Sequence, residues 1–157
     1  MNRRALAACL ATATFALNLV LQHALMPMGM RPLIAGLADF HPAWNNGVSF
    51  SLLAQSSVTG CHLLIAALAA ISIAVAVMAW RATNFLAAAG FGLVLGGALG
   101  NLWDRSRYCA VFDFLSLHLG NVPLFVCNFP DIAISAGVVL LVLDSLKKPE
   151  SARDFAG

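Results

Sequence analysis

His62-Leu63-Leu64-Ile65-Ala66-Ala67-Leu68-Ala69-Ala70-Ile71-Ser72-Ile73-Ala74-Val75-Ala76-Val77-Met78-Ala79-Trp80 runs for nineteen residues without a carboxylate, lysine or arginine. A helix crosses the hydrocarbon core of a bilayer with about 20 mostly apolar residues, so this stretch reads as a membrane span. Three others have the same character: Ala5 to Leu25, Asn84 to Trp103, and Phe129 to Leu146. The last carries Pro130 where proline is tolerated, at a helix start. Composition agrees with the segments. Of the 157 residues, 61% are hydrophobic and 10% charged, and the mean hydropathy is +0.85. A soluble domain carries roughly 25% charged residues. This chain has too little polar surface to coat a water-soluble globule, and lipid is its natural solvent. The expected fold is an all-α integral membrane protein with four transmembrane helices. A small extracytoplasmic segment, β-rich or loop-like, follows the first helix. Residues 1–146 form one membrane-embedded domain, and 147–157 a polar cytoplasmic tail.

The connecting segments differ in kind. Met26 to Gly60 is long and mixed, with Pro27, Pro32, Pro42, Gly29, Gly36 and Gly47. Its Val48 to Leu53 run could form a strand. Arg81-Ala82-Thr83 is a tight turn, and Asp104 to Asn128 is a long connection rich in aromatic residues. Cytoplasmic loops carry excess Lys and Arg. Arg3, Arg4, Arg81, Lys147, Lys148 and Arg153 fall on one side of a four-helix arrangement, and Arg31, Arg105 and Arg107 on the other. Both termini are therefore expected in the cytoplasm, with the two long segments facing outward. Gly92, Gly96 and Gly100 recur every four residues, a spacing that lets helices approach closely in lipid. Trp44, Trp80 and Trp103 suit interfacial anchoring.

Several classes of function find no support. The basic residues are scattered, so nucleic-acid binding is not expected. Gly90-Phe91-Gly92-Leu93-Val94-Leu95 fails the dinucleotide fingerprint at its third glycine, and no Walker-type Gly-Lys-Ser/Thr occurs. Cys9, Cys61, Cys109 and Cys127 form no Cys-x-x-Cys pair, which argues against a zinc site. At least three of the four read as small packed hydrophobes. Cys109 and Cys127 could both face outward, and a disulfide between them stays open. His23, His41, His62 and His118 lack metal-ligand spacing. Ser56, Ser57 and Thr59 cluster without an evident base. Leu6-Ala7-Ala8-Cys9 spells a lipobox, the target sequence of lipoprotein processing, but too few residues separate Arg4 from Cys9 for a signal peptide's usual apolar core. The N-terminal run is read as a retained helix.

Two carboxylates stand out. Asp113 lies in Val111-Phe112-Asp113-Phe114-Leu115, and Asp131 in Asn128-Phe129-Pro130-Asp131-Ile132-Ala133-Ile134. Ionisable groups at membrane depth are costly and by default suggest function. Apolar surroundings raise an aspartate's pKa, and two aspartates brought close share one proton. One then activates water as a base while the other protonates the scissile carbonyl or the leaving amine. The bland alternative puts Asp131 in the first turn of the last helix, favoured by the helix dipole, and Asp113 in a loop near Arg105 or Arg107. The residues alone leave both readings open.

Larger segments resemble the signal peptidase II family. Asn45-Asn46-Gly47-Val48-Ser49-Phe50 is similar to its Asn-x-Gly-x-(Ala/Ser)-Phe segment. Gly96-Gly97-Ala98-Leu99-Gly100-Asn101-Leu102-Trp103-Asp104-Arg105 resembles its Gly-Gly-Ala-x-Gly-Asn-x-x-Asp-Arg segment. The stretches around Asp113 and Asp131 look like the two that supply its catalytic aspartates. The resemblance implies a membrane aspartic endopeptidase with Asp113 and Asp131 as the catalytic pair. Asn45, Gly47, Asn101, Asp104, Arg105 and Asn128 would bind substrate or brace the site. The implied substrate is a prolipoprotein carrying diacylglycerol on its lipobox cysteine, cut just before that cysteine near the outer face of the bacterial inner membrane. No metal or cofactor is implied, membrane lipid is the surrounding partner, and a monomer is the default.

Two departures from the family pattern stand beside the resemblance. The family's Asp-Gln-x-x-Lys in helix one has as its counterpart Asn18-Leu19-Val20-Leu21-Gln22, which keeps neither charge. Losing both together leaves neither unpaired in lipid. Cys127 and Pro130 replace the phenylalanine and alanine of the last segment. The altered helix-one motif admits a rival, a divergent relative that binds lipoproteins or lipopeptides without cutting them. A second rival, a small transporter using the two aspartates, predicts polar residues along the second and third helices, which carry almost none.

Overall fold

The computed structural model describes residues 1–46 and 58–147. Among them the element order is α1 (Arg3–Leu25), β1 (Arg31–Ile34), β2 (Ala38–Asn45), α2 (Val58–Trp80), α3 (Phe85–Tyr108), β3 (Val111–Leu119), β4 (Val122–Cys127) and α4 (Phe129–Ser145). Three helices, α1, α2 and α3, are long and apolar enough to cross a membrane, and α4 is shorter at 17 residues. Short polar side chains start the helices by accepting from otherwise unpaired first-turn N–H groups. Asn2 accepts from the Ala5 N–H at 2.8 Å and Asn84 from the Ala87 N–H at 2.9 Å.

Helix α3 is the axis of the bundle, and its glycines explain why. A Cβ placed on Gly96 would lie 2.6 Å from Cβ of Thr14 in α1, and one on Gly97 would lie 2.6 Å from the Pro130 carbonyl oxygen in α4. Neighbouring backbones therefore close on α3 from two sides, at distances no side chain would permit. The Gly92, Gly96 and Gly100 stripe faces α1, as expected of a packing stripe, and Gly90 meets Gly137 of α4. Helix α2 lies on the outside, with Leu63, Ile71, Ile73 and Val77 exposed.

The strands form one antiparallel sheet in the order β1-β2-β3-β4. Asn45 pairs with Val111, Phe40 with Leu115, and Leu117 with Phe125. The register shifts fall beside Pro32, between Phe40 and Ala43 around Pro42, and near Pro123. Proline has no N–H to give the ladder, so it belongs at such irregularities. Half of this sheet differs from the reading of the sequence. A β-segment after the first helix was expected and is present as β1 and β2, but the connection from Asp104 to Asn128 is not a loop. It holds the last turn of α3 and the β3–β4 hairpin. The aromatic residues that mark it, Phe112 and Phe114, stack with Phe40 and Trp44 across the sheet. The strand expected at Val48 to Leu53 lies outside the described residues.

The cysteines require a correction. Cys61 and Cys109 form a disulfide, with Cα atoms 5.8 Å apart. Cys9 and Cys127 are free. Packing was the expected role for at least three of the four; of the two free cysteines only Cys127 is buried, and Cys9 is exposed. The physical reason is the α2–α3 hairpin. Both half-cystines lie at its end away from the 81–83 turn, where antiparallel neighbours come side by side. Cys109 also ends α3 in the left-handed conformation, φ 49°, which turns the chain into β3.

Candidate active site

The site forms where the sheet meets the bundle, and each of its side chains is fixed by the element that carries it. Asn128 is the N-cap of α4. Its Oδ1 accepts from the Asp131 N–H at 2.8 Å, and its own N–H donates to Asp131 Oδ2 at 3.3 Å. This capping box satisfies helix-end donors and fixes the Asp131 carboxylate against the first turn. Pro130 sits inside that turn, where no N–H is required. It is fully buried against α3, near Gly97 and Gly100. The substitution of proline before Asp131 is thus accommodated by the glycine face opposite it.

Asp113 arrives from the other side, on β3. Asn45 lies across the ladder from Val111, two residues before Asp113, and donates from Nδ2 to Asp113 Oδ2 at 2.9 Å. Asn128 Nδ2 donates to Asp113 Oδ1 at 2.9 Å and to Asn101 Oδ1 at 3.1 Å. Asn101, one helix turn before Arg105 on α3, donates from Nδ2 to Asp131 Oδ1 at 2.9 Å. A continuous hydrogen-bonded chain therefore runs Asp113–Asn128–Asn101–Asp131. It joins two carboxylates that are eighteen residues apart in sequence.

The two carboxylates differ in setting. Asp113 is 3% exposed, while Asp131 is half-buried. Burial pushes the Asp113 pKa up to about 6, and the negative charge of Asp131 adds to the rise. The amide donors of Asn45 and Asn128, and the Arg105 charge, pull the other way. Desolvation wins because a buried charge loses more hydration than two neutral amides restore. Cys127, adjacent in the chain to the N-cap, has its thiol pushed up to about 11 by burial and by the Asp131 and Asp113 charges. It is a neutral, packed thiol, in keeping with its reading as a small hydrophobe.

Asp104 and Arg105 support this arrangement from α3. Asp104 is fully buried, accepts from the Phe112 N–H at 3.2 Å and from Gln22 Nε2 at 3.0 Å. It ties the start of β3 to α3 and both to α1. The Phe112 bond holds the strand one residue before Asp113. Arg105 is buried beside the pair. Of the residues singled out in the sequence, Asn45, Asn101, Asp113, Asn128 and Asp131 come together directly, with Asp104 and Arg105 behind them. Gly47 lies outside the described residues. Gln22 was noted only for the lysine it lacks, and the structure gives it a partner: a neutral amide bonded to a buried carboxylate. Asn18, the other altered position, is buried against Gly100, and its Nδ2 finds no hydrogen-bond partner among the described residues. His118 stands away from the pair, 3.1 Å from Asp39 on the sheet.

The profile of the signal peptidase (SPase) II family matches residues 7–147. A lipoprotein signal peptidase of Methylorubrum extorquens (strain PA1) is 47% identical over 126 residues, covering 79% of this chain and 74% of the relative. The lipoprotein signal peptidase of Methylobacterium radiotolerans is 46% identical over 123 residues, covering 78% and 71%. A solved bacterial membrane enzyme, determined at 2.3 Å, shares the fold with a TM-score of 0.74 at 20% identity, covering 92% of each chain. The chain belongs to the signal peptidase II family, the proteases of lipoprotein processing.

Proposed function

We propose that this chain is an aspartic endopeptidase of the bacterial inner membrane, with Asp113 and Asp131 as its catalytic pair. It cuts diacylglyceryl-modified prolipoproteins just before the lipidated cysteine. The observation that carries this reading is the amide-bridged chain from Asp113 to Asp131. It links the two carboxylates through neutral amides, and two carboxylates brought close share one proton. The more buried Asp113 keeps that proton, and Asp131 acts as the base. Asp131 takes a proton from a water molecule as its oxygen bonds to the scissile carbonyl carbon. Asp113 gives its proton to the carbonyl oxygen. The tetrahedral intermediate then collapses. The C–N bond breaks, the amine of the cysteine leaves with a proton from the pair, and the signal peptide ends in a carboxyl group.

Asn45 and Asn128 hold Asp113, Asn101 orients Asp131, and Asp104 anchors β3. Arg105 offsets the charge of the pair, and Gly47 keeps the supporting role that the resemblance implies. In this reading α4 is the fourth crossing, its 17 residues at the short end of the spanning range. Both termini face the cytoplasm. The Cys61–Cys109 disulfide supports an outward-facing site, because it lies at the same end of the bundle as the pair and disulfides persist in the oxidising periplasm. The substrate's acyl chains stay in the bilayer while the scissile bond meets water at its edge.

The test is to incubate the purified chain in detergent with a diacylglyceryl-modified prolipoprotein and weigh the products. The expected product begins with the lipidated cysteine. A substrate retained in complex but left intact would support the non-cleaving relative instead.

A further inference from the structure

At the end of the bundle away from the aspartate pair, Asn2, Arg3, Arg4, Trp80, Arg81 and Thr83 line a cavity of about 400 Å³. We propose that this cleft binds the phosphate of an anionic phospholipid headgroup. The proposal rests on the membrane placement of the helices and not on the proteolytic chemistry.

Three arginines line one cavity, and no carboxylate lines it. Among the described residues, none of the three arginines has an ion-pair partner. Asp144, in the neighbouring cleft, accepts from Asn84 at 3.0 Å. Two of the guanidinium groups are held in place. Arg3 donates to the Thr83 carbonyl oxygen. Arg4 donates to the Trp80 carbonyl oxygen at 3.2 Å and lies over the Trp80 ring, 4.2 Å from its centre. The Trp80 carbonyl at the end of α2 needs a donor, and Arg4 supplies it. A guanidinium has five N–H groups in a planar fork, so each keeps donors for a second partner. That fork matches phosphate oxygens in pairs.

The surroundings select the lipid-borne form of that phosphate. Trp80 and Phe85 are 62% and 57% exposed beside the cleft, and Val77 and Met78 continue an apolar surface down α2. Acyl chains attached to a phosphate in the cleft can lie along that surface. Free phosphate gains nothing from it. Positive charge at a cytoplasmic helix end serves orientation by count alone, whereas here three arginines line one cavity and two of them are fixed by hydrogen bonds.

Native mass spectrometry of the full chain released from detergent tests this, using dioleoyl phosphatidylglycerol, dioleoyl phosphatidylcholine and inorganic phosphate as probes. The expected result is a preference of about fivefold or more for the anionic lipid. It should fall to near parity in Arg3→Gln/Arg81→Gln and survive in Arg31→Gln/Arg107→Gln, which removes as much charge from the opposite end. Arg3→Lys/Arg81→Lys should lose part of the preference, since charge remains and the fork does not. Equal losses in both Gln pairs would mean diffuse attraction and overturn the proposal. Displacement of the lipid by millimolar inorganic phosphate would overturn its lipid source. Lipid preference without prolipoprotein cleavage would strike at the protease reading alone, and cleavage without lipid preference at this one alone.

Discussion

Helices α2 and α3 are joined by a short turn and differ by one residue in length, 23 against 24. Their surroundings are opposite. Helix α2 buries only Cys61, Ser72 and Ala79, while α3 buries nine residues, seven of them glycines or alanines. The difference lies in side-chain size. Helix α2 has a single glycine, Gly60, and its leucines, isoleucines, valines and alanines suit lipid without admitting another backbone. Glycines on two faces of α3 admit α1 and α4, and their approach shelters the polar residues of its C-terminal turns: Asn101, Asp104 and Arg105. The site is built on the helix that could be enclosed. Apolarity alone commits a segment to the membrane, and glycine spacing decides which segment becomes the axis.

That contrast can be broken most severely at its contact points. Gly96→Leu should destabilise the fold by about 3 kcal/mol, near the upper end for overpacking, because Thr14 and the Ala11 backbone cannot retreat. Ala70→Leu on exposed α2 should stay within about 0.5 kcal/mol. Thermal unfolding in detergent compares the two, and similar losses would remove the distinction between the helices. Asn128→Ala tests what the enclosed helix supports. It deletes the α4 cap and the amide between the aspartates together. Cleavage should slow by about 10- to 100-fold, the worth of a hydrogen bond to a charged group, and stability should fall by about 1 kcal/mol.

The burial of Asp113 carries a pH signature. Its folded pKa, about 6, lies above the unfolded value of about 3.9. A raised carboxyl pKa means the folded state holds the proton more tightly. The stability this contributes is complete below about pH 4 and is lost as pH rises through 6. Asp113→Asn should therefore stabilise the protein by about 1–2 kcal/mol at pH 7.5 and by little at pH 4. In the parent, kcat/KM should begin to fall near pH 6, as the shared proton leaves the free enzyme. The smallest effect on cleavage belongs to the disulfide that closes the α2–α3 hairpin. Cys61→Ser should cost about 1–2 kcal/mol, at the low end for a cross-link, because membrane insertion already confines both helices. Cleavage at low temperature should persist.

Much of this was legible in the sequence, for physical reasons that differ by region. Long apolar runs declare helices, so all four segments are helical within about four residues at most boundaries, and three of them are long and apolar enough to cross a membrane. The exception was the end of α3. Asp104, Arg105 and Arg107 look like a loop by polarity, yet the helix continues to Tyr108 because Gln22 and the Phe112 N–H satisfy Asp104. Strands β3 and β4 were missed. Phe112, Phe114, Leu115 and Leu117 do not alternate cleanly with polar residues, since both faces of β3 are partly covered. The aspartates were found because a carboxylate among apolar residues is expensive wherever it sits. Their joining through Asn128 and Asn101 depends on a helix cap meeting a helix face, and no spacing in the sequence encodes that. The Cys61–Cys109 pair could have been seen. Two cysteines at the open end of a helical hairpin are neighbours by topology, whatever their distance in sequence.

The central claim is that Asp113 and Asp131 act as one proton-sharing pair. Cleavage of a diacylglyceryl-modified prolipoprotein by the purified parent, Asp113→Asn, Asp131→Asn and the double variant tests it directly. Either single change should lower kcat by on the order of 10³-fold or more, and the double change should cost little beyond either one, as for residues acting as a unit. Substantial cleavage by either single variant, or losses that multiply in the double variant, would contradict it.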